Sequence, residues 1–105
     1  MNYHIADKNT LTHAIKLLKN EDVIIHSTDT LPGFACDATS DNAIEKIISM
    51  KNRKGPFSII INSIHEIEKY AKLNVTQLKN IKKILPGPFT ILLNNNNNNN
   101  LSKLV

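Results

Sequence analysis

Two groups of polar residues carry side chains of the kind that bind charged ligands. The first is Thr28, Asp29 and Thr30, where a carboxylate lies between two hydroxyls directly after an apolar run. In an open α/β sheet, ligands bind beyond the carboxyl ends of the strands, which is where this group is expected. The group is therefore predicted to bind a small polar molecule, and a turn or a helix cap is the alternative.

The second group, Lys51 and Arg53, is predicted to bind phosphate. Twelve of the thirteen cationic residues are lysine, so the single arginine indicates a need for a planar, bidentate cation. Lys51 would act as a point charge and Arg53 as a fork on phosphate oxygens. Because the pair follows an amphipathic segment, favourable interaction with a helix dipole is the alternative role.

No other set of residues indicates catalysis. The sequence has no Walker loop, no Gly-x-Gly-x-x-Gly and no His-Glu-x-x-His motif. The four histidines are scattered, so ordinary surface or packing roles are favoured and no metal-binding side chains are identified. The single cysteine, Cys36, is a candidate nucleophile, but no histidine has a clear claim to activate it. A small buried thiol is the favoured interpretation.

The elements that would position these groups alternate between helical and strand patterns. Apolar residues at helical spacing predict helices over residues 10–20, 41–50 and 74–85. Runs of β-branched and aromatic residues predict three strands of one sheet, over residues 23–27, 57–61 and 89–93. This alternation predicts an α/β fold with helices flanking the sheet.

Polar residues mark where two of the helices begin. Ser40 or Asp41 is predicted to cap the helix that leads to Lys51. Ser63 and Glu66 have the spacing of a capping box, which predicts a short helix up to residue 71.

Composition is that of a single soluble globular domain. The chain has 105 residues, of which 41% are hydrophobic and 21% charged. No apolar run approaches the roughly 20 residues that span a bilayer, and the first residues lack the apolar stretch of a signal peptide. We therefore expect a cytoplasmic protein with no membrane association. The net charge of +4 favours anionic partners, although most lysines fit a solvated surface equally well.

The end of the chain combines a polar tract with a short apolar stretch. Residues 94–100 are seven asparagines, which are expected to form a loop because they cannot pack a core. Residues 101–105 are mostly apolar and are expected to have nothing to cover. This pattern predicts a single domain over residues 1–105 that is incomplete at its C-terminus.

Three separated motifs occur in a distinctive order along the chain. They are Thr28-Asp29-Thr30, Lys51-x-Arg53 and Leu85-Pro86-Gly87-Pro88-Phe89-Thr90. In this order and spacing they resemble the YrdC/TsaC family. The resemblance implies a twisted mixed α/β sheet with flanking helices around a basic concave cavity. Domains of that family are about twice as long as this chain, which again implies an incomplete domain.

The resemblance also implies an activity. The family's L-threonylcarbamoyladenylate synthases condense L-threonine, bicarbonate and ATP, with Mg²⁺ on the nucleotide, and release pyrophosphate. Their product feeds the threonylcarbamoyladenosine (t6A) modification of tRNA. The implied partners are the three substrates, with tRNA or double-stranded RNA and other proteins of the t6A pathway as further candidates.

By position in the motifs, the resemblance implies that Thr30 binds L-threonine and that Lys51, Arg53 and Thr90 bind ATP. The hydroxyl of Thr28 can also hold L-threonine, and the Asp29 carboxylate can bind the ammonium group of the amino acid or cap the turn. The alternative function is a nucleotide- or RNA-binding module without catalysis, or an inactive fragment of such an enzyme.

Overall fold

A computed structural model describes residues 7–27 and 31–105, and in that part of the chain it contains helices and two small antiparallel sheets. The elements in chain order are α1 (Lys8–Lys19), β1 (Ile24–His26), β2 (Gly33–Ala35), α2 (Asp41–Lys51), a 3-10 helix (Ile64–Glu66), α3 (Ile67–Tyr70), β3 (Ala71–Lys72), α4 (Val75–Ile81) and β4 (Asn94–Asn95). The predicted α/β class is confirmed.

Side-chain caps fix the starts of the two long helices. A carboxylate oxygen of Asp7 accepts hydrogen bonds from the backbone N–H of Thr10 (2.8 Å) and from its hydroxyl (2.9 Å). The Ser40 hydroxyl accepts from the N–H of Ala43 (3.1 Å), so Ser40, and not Asp41, is the cap of α2. Both helices lie within two residues of their predicted bounds.

The third helix begins differently from the prediction. Ser63 makes no capping hydrogen bond with its side chain, so the predicted capping box is wrong. A 3-10 turn precedes α3 instead, and a carboxylate oxygen of Glu66 accepts from the N–H of Asn62 (3.0 Å). That hydrogen bond, followed by the contact with the Lys69 ammonium group, lowers the pKa of Glu66.

A true capping box opens α4. The Asn74 side chain accepts from the N–H of Gln77 and the Gln77 side chain accepts from the N–H of Asn74, both at 2.8 Å. The helix ends at Ile81, four residues before the predicted end at residue 85. The chain then turns tightly at Gly87, where an added Cβ would lie 2.7 Å from the carbonyl oxygen of Ile84, so the turn has no room for a side chain.

The described strands form two separate antiparallel pairs, whereas the sequence predicted one three-stranded sheet. β1 pairs with β2 in antiparallel register, with Ile25 opposite Phe34, and β3 pairs with β4. β1 confirms the centre of the predicted strand over residues 23–27, whereas β2, β3 and β4 were not predicted. The prediction of strands over residues 57–61 and 89–93 is wrong for this structure.

The physical reason lies in the hydrogen bonds that define a strand. Residues 57–61 and 89–93 have no ladder partner among the described residues. Burial nevertheless alternates over residues 57–61 and 90–93, and the outward-facing Ile60 and Leu92 are 77% and 91% exposed. These two segments, here called the extended runs, have the composition of strands that are covered on both faces.

The buried core is small and is centred on α2. Its members are Ala43, Ile44 and Ile47 of α2, Ile67 of α3 and Ile81 of α4. Among the described residues, no helix has both the length and the apolar character needed to cross a bilayer.

The asparagine tract, residues 94–100, caps α3. β4 pairs with β3, and the loop continues with Asn96, whose side-chain amide donates to the carbonyl of Lys69 (2.7 Å) and, at 3.2 Å, to that of Glu68. The last carbonyls of a helix lack partners within the helix, and amide side chains supply them here. The tract is therefore an ordered loop with a short strand at its start, which refines the prediction of a loop.

Residues 101–105, the C-terminal segment, are anchored to the start of α2. Ser102 is buried, its backbone N–H donates to the carbonyl of Ala38 (2.8 Å), and its hydroxyl forms a short hydrogen bond with the Asp41 carboxylate. The Ser102 hydroxyl also accepts from the N–H of Leu104 (3.1 Å). The expectation that this segment has nothing to cover is wrong.

Candidate functional site

The Lys51 and Arg53 pair lies at the end of α2, on an exposed turn. Lys51 is the last residue of the helix, and Asn52 follows it in the left-handed conformation, with φ 53° and ψ 39°. Left-handed backbone reverses the direction of the chain, which is a common way for a helix to end. A sharp bend in the backbone therefore separates the two cations, and the chain runs in a different direction on each side of it.

Arg53 is oriented by an aromatic ring. The Cζ atom of its guanidinium lies 5.4 Å from the centroid of the Phe57 ring, within the range of a cation–π contact. A guanidinium that stacks on a ring keeps its N–H groups at its edge available for hydrogen bonds. Arg53 is thus partly ordered in the absence of an anion, which lowers the entropy lost when an anion binds.

The chemistry open to this turn is the binding of an anion. Two permanent positive charges two residues apart, one of them a planar fork, suit a group with several anionic oxygens. Lys51 also lies at the negative end of the α2 dipole, which stabilises a cation there whether or not a ligand binds. The geometry fits both roles that the sequence left open.

Other residues predicted to bind substrates are placed only in part. Thr28, Asp29 and Thr30 lie outside the described residues, so their assignment to L-threonine stays a prediction. Thr90 is exposed within the second extended run. In the described part of the chain, no hydrogen bond joins Thr90 to Lys51 or Arg53, and its role with ATP also stays a prediction.

Cys36 has the features of an unreactive thiol. Its Sγ atom is partly buried, 3.8 Å from the carbonyl oxygen of Asp37. Burial, and secondly the neighbouring Asp37 carboxylate, raise the pKa of the thiol. A raised pKa lowers the fraction of thiolate at neutral pH, and the thiolate is the nucleophilic form. The favoured interpretation from the sequence agrees with this environment.

The segment after Cys36 connects the hairpin to α2. The Asp37 carboxylate accepts from the N–H (2.8 Å) and the hydroxyl (2.7 Å) of Thr39, which shapes a turn just before the Ser40 cap. The carbonyl of Ala38 receives the hydrogen bond from Ser102. In the described residues there is no group of three or more His, Cys, Asp or Glu residues placed to hold a metal ion.

The C-terminal segment reaches from the start of α2 to the turn that carries Arg53. An added Cβ at Gly55 would lie 3.2 Å from the carbonyl oxygen of Leu104, so the two backbones pass very close to each other. Ser102 fixes the other end of the segment at Asp41. One short segment therefore contacts both ends of the α2 region.

Sequence reasoning did not single out Asn52, Phe57 or Ser102. Asn52 carries a signal, because asparagine is the non-glycine residue that best tolerates the left-handed conformation and often follows a helix. Phe57 carries a weaker one, as an aromatic residue four positions after an arginine. Ser102 carries none, because Ala38 and Asp41, the partners that anchor it to the start of α2, lie more than 60 residues away.

Comparison with known proteins shows the family of the chain. A family model named Sua5/YciO/YrdC, with the description telomere recombination, matches residues 16–105. A threonylcarbamoyl-AMP synthase of Psychromonas ingrahamii is 38% identical over 106 residues, which cover 96% of this chain and 54% of that protein. A threonylcarbamoyl-AMP synthase of Buchnera aphidicola subsp. Acyrthosiphon pisum is 37% identical over 82 residues, covering 73% of this chain and 47% of that protein.

The chain spans about half the length of these curated relatives. No solved structure matches it significantly. The family model covers most of the chain, including the Lys51 and Arg53 turn, the first extended run and the asparagine tract. The chain belongs to the Sua5/YciO/YrdC family.

Proposed function

We propose that the Lys51 and Arg53 turn is the phosphate-binding part of a threonylcarbamoyl-AMP synthase. In this reaction L-threonine, bicarbonate and ATP give threonylcarbamoyl-AMP, pyrophosphate and water, for the t6A modification of tRNA in the cytoplasm. The observation that carries the proposal is the paired cation turn, with Arg53 held over Phe57, in a chain of this family.

The proposed role of the turn is electrostatic. When pyrophosphate leaves the α-phosphorus, negative charge grows on the bridging and terminal phosphate oxygens, and preorganised cations stabilise that charge. Arg53 would bind two oxygens at once and Lys51 a third. Mg²⁺ would enter with ATP and neutralise the remaining phosphate charge. This role needs no protein nucleophile, which agrees with the raised pKa of Cys36.

L-Threonine is proposed to bind at Thr28, Asp29 and Thr30, and Thr90 to lie beside the nucleotide. Two hydroxyls can hold a zwitterionic amino acid without adding net charge, and the Asp29 carboxylate suits its ammonium group. The assignments of Thr30 and Thr90 rest on their position in the family's motifs, and those of Thr28 and Asp29 rest on the chemistry of their side chains.

Calorimetric titration with Mg·ATP tests the turn. We expect Arg53→Ala to weaken ATP binding about ten- to a hundredfold, because a hydrogen bond to a charged group contributes about 1.5–3 kcal/mol. Arg53→Lys is expected to weaken it as well, since the charge remains but the fork is lost. The matched control is Lys54→Ala, the next exposed cation along the chain, which is expected to change the affinity less than twofold.

The second measurement is release of pyrophosphate with L-threonine, bicarbonate and ATP. Turnover that requires all three supports the synthase. ATP binding that depends on Arg53, but without turnover, would identify a nucleotide-binding module, the second candidate. Equal ATP affinities of the wild type, Arg53→Ala and Lys54→Ala proteins would contradict the proposal and leave the two cations as partners of the helix dipole.

A further inference from the structure

Gly55 lies where the C-terminal segment passes the turn that carries Arg53. A Cβ atom added at Gly55 would lie 3.1 Å from Cδ2 and from the backbone nitrogen of Phe57, and 3.2 Å from the carbonyl oxygen of Leu104. Carbon atoms in favourable contact are about 3.5–4.0 Å apart, so a methyl group here would displace the Phe57 ring, the C-terminal segment or both. The φ angle of Gly55 is not positive, so the position needs glycine for space and not for conformation.

Hydrogen bonds of Ser102 orient the peptide unit that lies against Gly55. The Ser102 hydroxyl bonds to the Asp41 carboxylate and accepts from the N–H of Leu104 at 3.1 Å. The Ser102 carbonyl accepts from the N–H of Val105 at 3.3 Å. The carbonyl of Leu104 and the N–H of Val105 belong to one planar peptide unit, so fixing the second also fixes the first. Ser102 therefore sets the position of the carbonyl that touches Gly55.

The Phe57 ring orients the guanidinium of Arg53. The Cζ atom of Arg53 lies 5.4 Å from the ring centroid, and among the described residues no carboxylate lies within ion-pair distance of Arg53. Arg53 is exposed, whereas Phe57 is half-buried. An exposed side chain without an ion pair is ordered by the surface on which its stem and head pack. The position of the ring therefore decides where the guanidinium points.

We propose that Gly55 and Ser102 are positioning residues of the turn that binds phosphate. Ser102 holds the C-terminal segment on α2, and that segment packs against Gly55. This packing keeps the Phe57 ring beneath Arg53, so the guanidinium is oriented before an anion arrives and loses less conformational entropy on binding. The choice of ATP as the anion rests on the proposed function, whereas the placement of Arg53 rests on the described contacts alone.

Calorimetric titration of glycine variants with Mg·ATP is the first test. We expect Gly55→Ala to weaken binding about two- to tenfold, since ordering one long side chain at a binding site costs about that much in affinity. The matched control is Gly33→Ala, which adds the same methyl group at a glycine where an added Cβ meets no atom within 4 Å. The control is expected to bind ATP like the wild type.

Variants of Ser102 test the other end of the segment in the same titration. Ser102→Ala removes the hydroxyl and is expected to weaken ATP binding to a similar extent as Gly55→Ala. Ser102→Thr keeps a hydroxyl and is expected to restore most of the affinity. Lys103→Ala, at the neighbouring exposed position, is expected to have no effect. Gly55→Ala, at a half-buried turn, gives the same information if the buried Ser102→Ala variant does not fold.

A spectroscopic measurement follows the placement of Arg53 without any ligand. Protons above the face of an aromatic ring resonate upfield, so the δ protons of Arg53 report the position of the Phe57 ring in NMR spectra. Phe57→Leu removes the ring and gives the reference value. We expect Gly55→Ala and Ser102→Ala to move the Arg53 resonances toward that reference, and Gly33→Ala to leave them in place. A loss of stability alone would not move them in the folded protein.

Two results would overturn the proposal. The first is that the Arg53 resonances keep their wild-type positions in both Gly55→Ala and Ser102→Ala. The second is ATP binding that depends on Arg53 but is the same in Gly55→Ala and Gly33→Ala, which would show that the position of the ring does not matter to the anion. If Arg53→Ala bound ATP as tightly as the wild type, the proposed function would fail instead, and the resonances would still decide whether Gly55 and Ser102 place Arg53.

Discussion

Asn52 sets the geometry of the two candidate phosphate-binding residues. It is the only residue between Lys51 and Arg53, and its φ of 53° lies in the left-handed region. Most residues with a Cβ atom adopt that conformation at a cost of roughly 1–2 kcal/mol, and asparagine is the least affected of them. Glycine has no Cβ atom and adopts it freely. The residue between the two cations therefore matters for its backbone and not for a contact of its own with the ligand.

Substitution of Asn52 is expected to separate backbone conformation from side-chain chemistry. Asn52→Gly keeps the bend, so we expect little loss of stability and an ATP affinity within about twofold of the wild type. Asn52→Val puts a β-branched residue in the left-handed region, and we expect it to destabilise the fold by about 1–2 kcal/mol and to weaken ATP binding. Urea unfolding and ATP titration measure the two effects.

A matched control for this prediction is Asn80→Ala. Asn80 is an exposed residue inside α4, where alanine has the higher helix propensity, so its substitution is expected to be neutral or slightly stabilising. If Asn52→Val behaved like Asn80→Ala, the left-handed bend would have no part in placing Lys51 and Arg53.

At the residue scale, the sequence identified side chains by type but not by environment. Lys51 and Arg53 were predicted from their chemistry and lie together on one turn. The contact of Arg53 with Phe57 depends on the path of the chain through Gly55, which no spacing rule supplies. The same limit applies to Ser102, because Ala38 and Asp41, which anchor it to the start of α2, are distant in the sequence.

At the element scale, α2 makes polar side-chain contacts with the turn that precedes β1. On its outer side, the Lys46 ammonium group donates to the carbonyl of Glu21 (2.9 Å) and contacts the Asp22 carboxylate at 3.3 Å. The Asn42 amide donates to the Glu21 carboxylate at 3.0 Å, and Glu21 itself is held at a φ of 62°. The helix thereby fixes the turn that leads into β1 as well as the turn that carries Arg53.

The anchor of the C-terminal segment on α2 is expected to contribute measurably to stability. Ser102→Ala removes a buried hydroxyl that hydrogen-bonds to the Asp41 carboxylate and to the N–H of Leu104. In the variant, that carboxylate and that N–H lose their hydrogen-bond partner. We expect a loss of about 1–3 kcal/mol in the free energy of unfolding, measured in urea. Lys103→Ala, at the neighbouring exposed position, is expected to change it by less than about 0.5 kcal/mol.

Hydrogen exchange gives this prediction a local measurement. Because the Ser102 N–H donates to Ala38, its amide is expected to exchange slowly in the wild type and the Leu104 amide to lose protection in Ser102→Ala. Unchanged stability with unchanged protection would show that the segment packs on α2 without these hydrogen bonds.

Helices and strands differed in how far they could be predicted. α1, α2 and the start of α4 are fixed by local signals, namely apolar spacing and caps within three residues, and all of these are visible in the sequence. A strand needs a second strand to pair with, and the composition of a segment does not identify which other segment that is. The extended runs were therefore predicted as strands from side chains that suit a sheet, although the described residues provide no ladder for them.

At the scale of the whole molecule, the chain exposes more surface than a compact protein of its size. Its accessible surface is 8453 Å², about 2,500 Å² above the area of roughly 5,900 Å² expected for this mass. The radius of gyration is 14.9 Å, against about 13 Å for a compact chain of this length. Large apolar side chains contribute to this surface, among them Ile60 and Leu92 of the extended runs.

This surface is expected to drive self-association. A stable dimer buries about 1,200–2,000 Å² in total, so pairing of two copies through the extended runs can cover much of the excess. Sedimentation velocity over a concentration series is expected to show dimers or larger species at micromolar concentrations. Ile60→Lys and Leu92→Lys are expected to shift the distribution toward monomer.

Leu11→Lys is the control for these variants. Leu11 is 62% exposed, but it lies on α1 and not in an extended run, so its substitution is expected to have a smaller effect. A wild-type chain that stays monomeric throughout the concentration series would imply a dimer Kd of roughly a millimolar or weaker. That result would show that the extended runs do not pair.

The asparagine tract has a repetitive character that bears on its tolerance to insertion and deletion. Every residue of the tract offers the same amide with which Asn96 caps α3 and Asn99 bonds to Asn96, so a shift by one position puts an identical side chain in each place. Both ends are fixed, by β4 and by Ser102, and Asn97 already bends the loop between them with a φ of 58°. Lengthening a loop changes its closure entropy only slowly, by about 0.6 kcal/mol for each doubling. A gain or loss of one asparagine codon in this tract would therefore leave the cap on α3 intact.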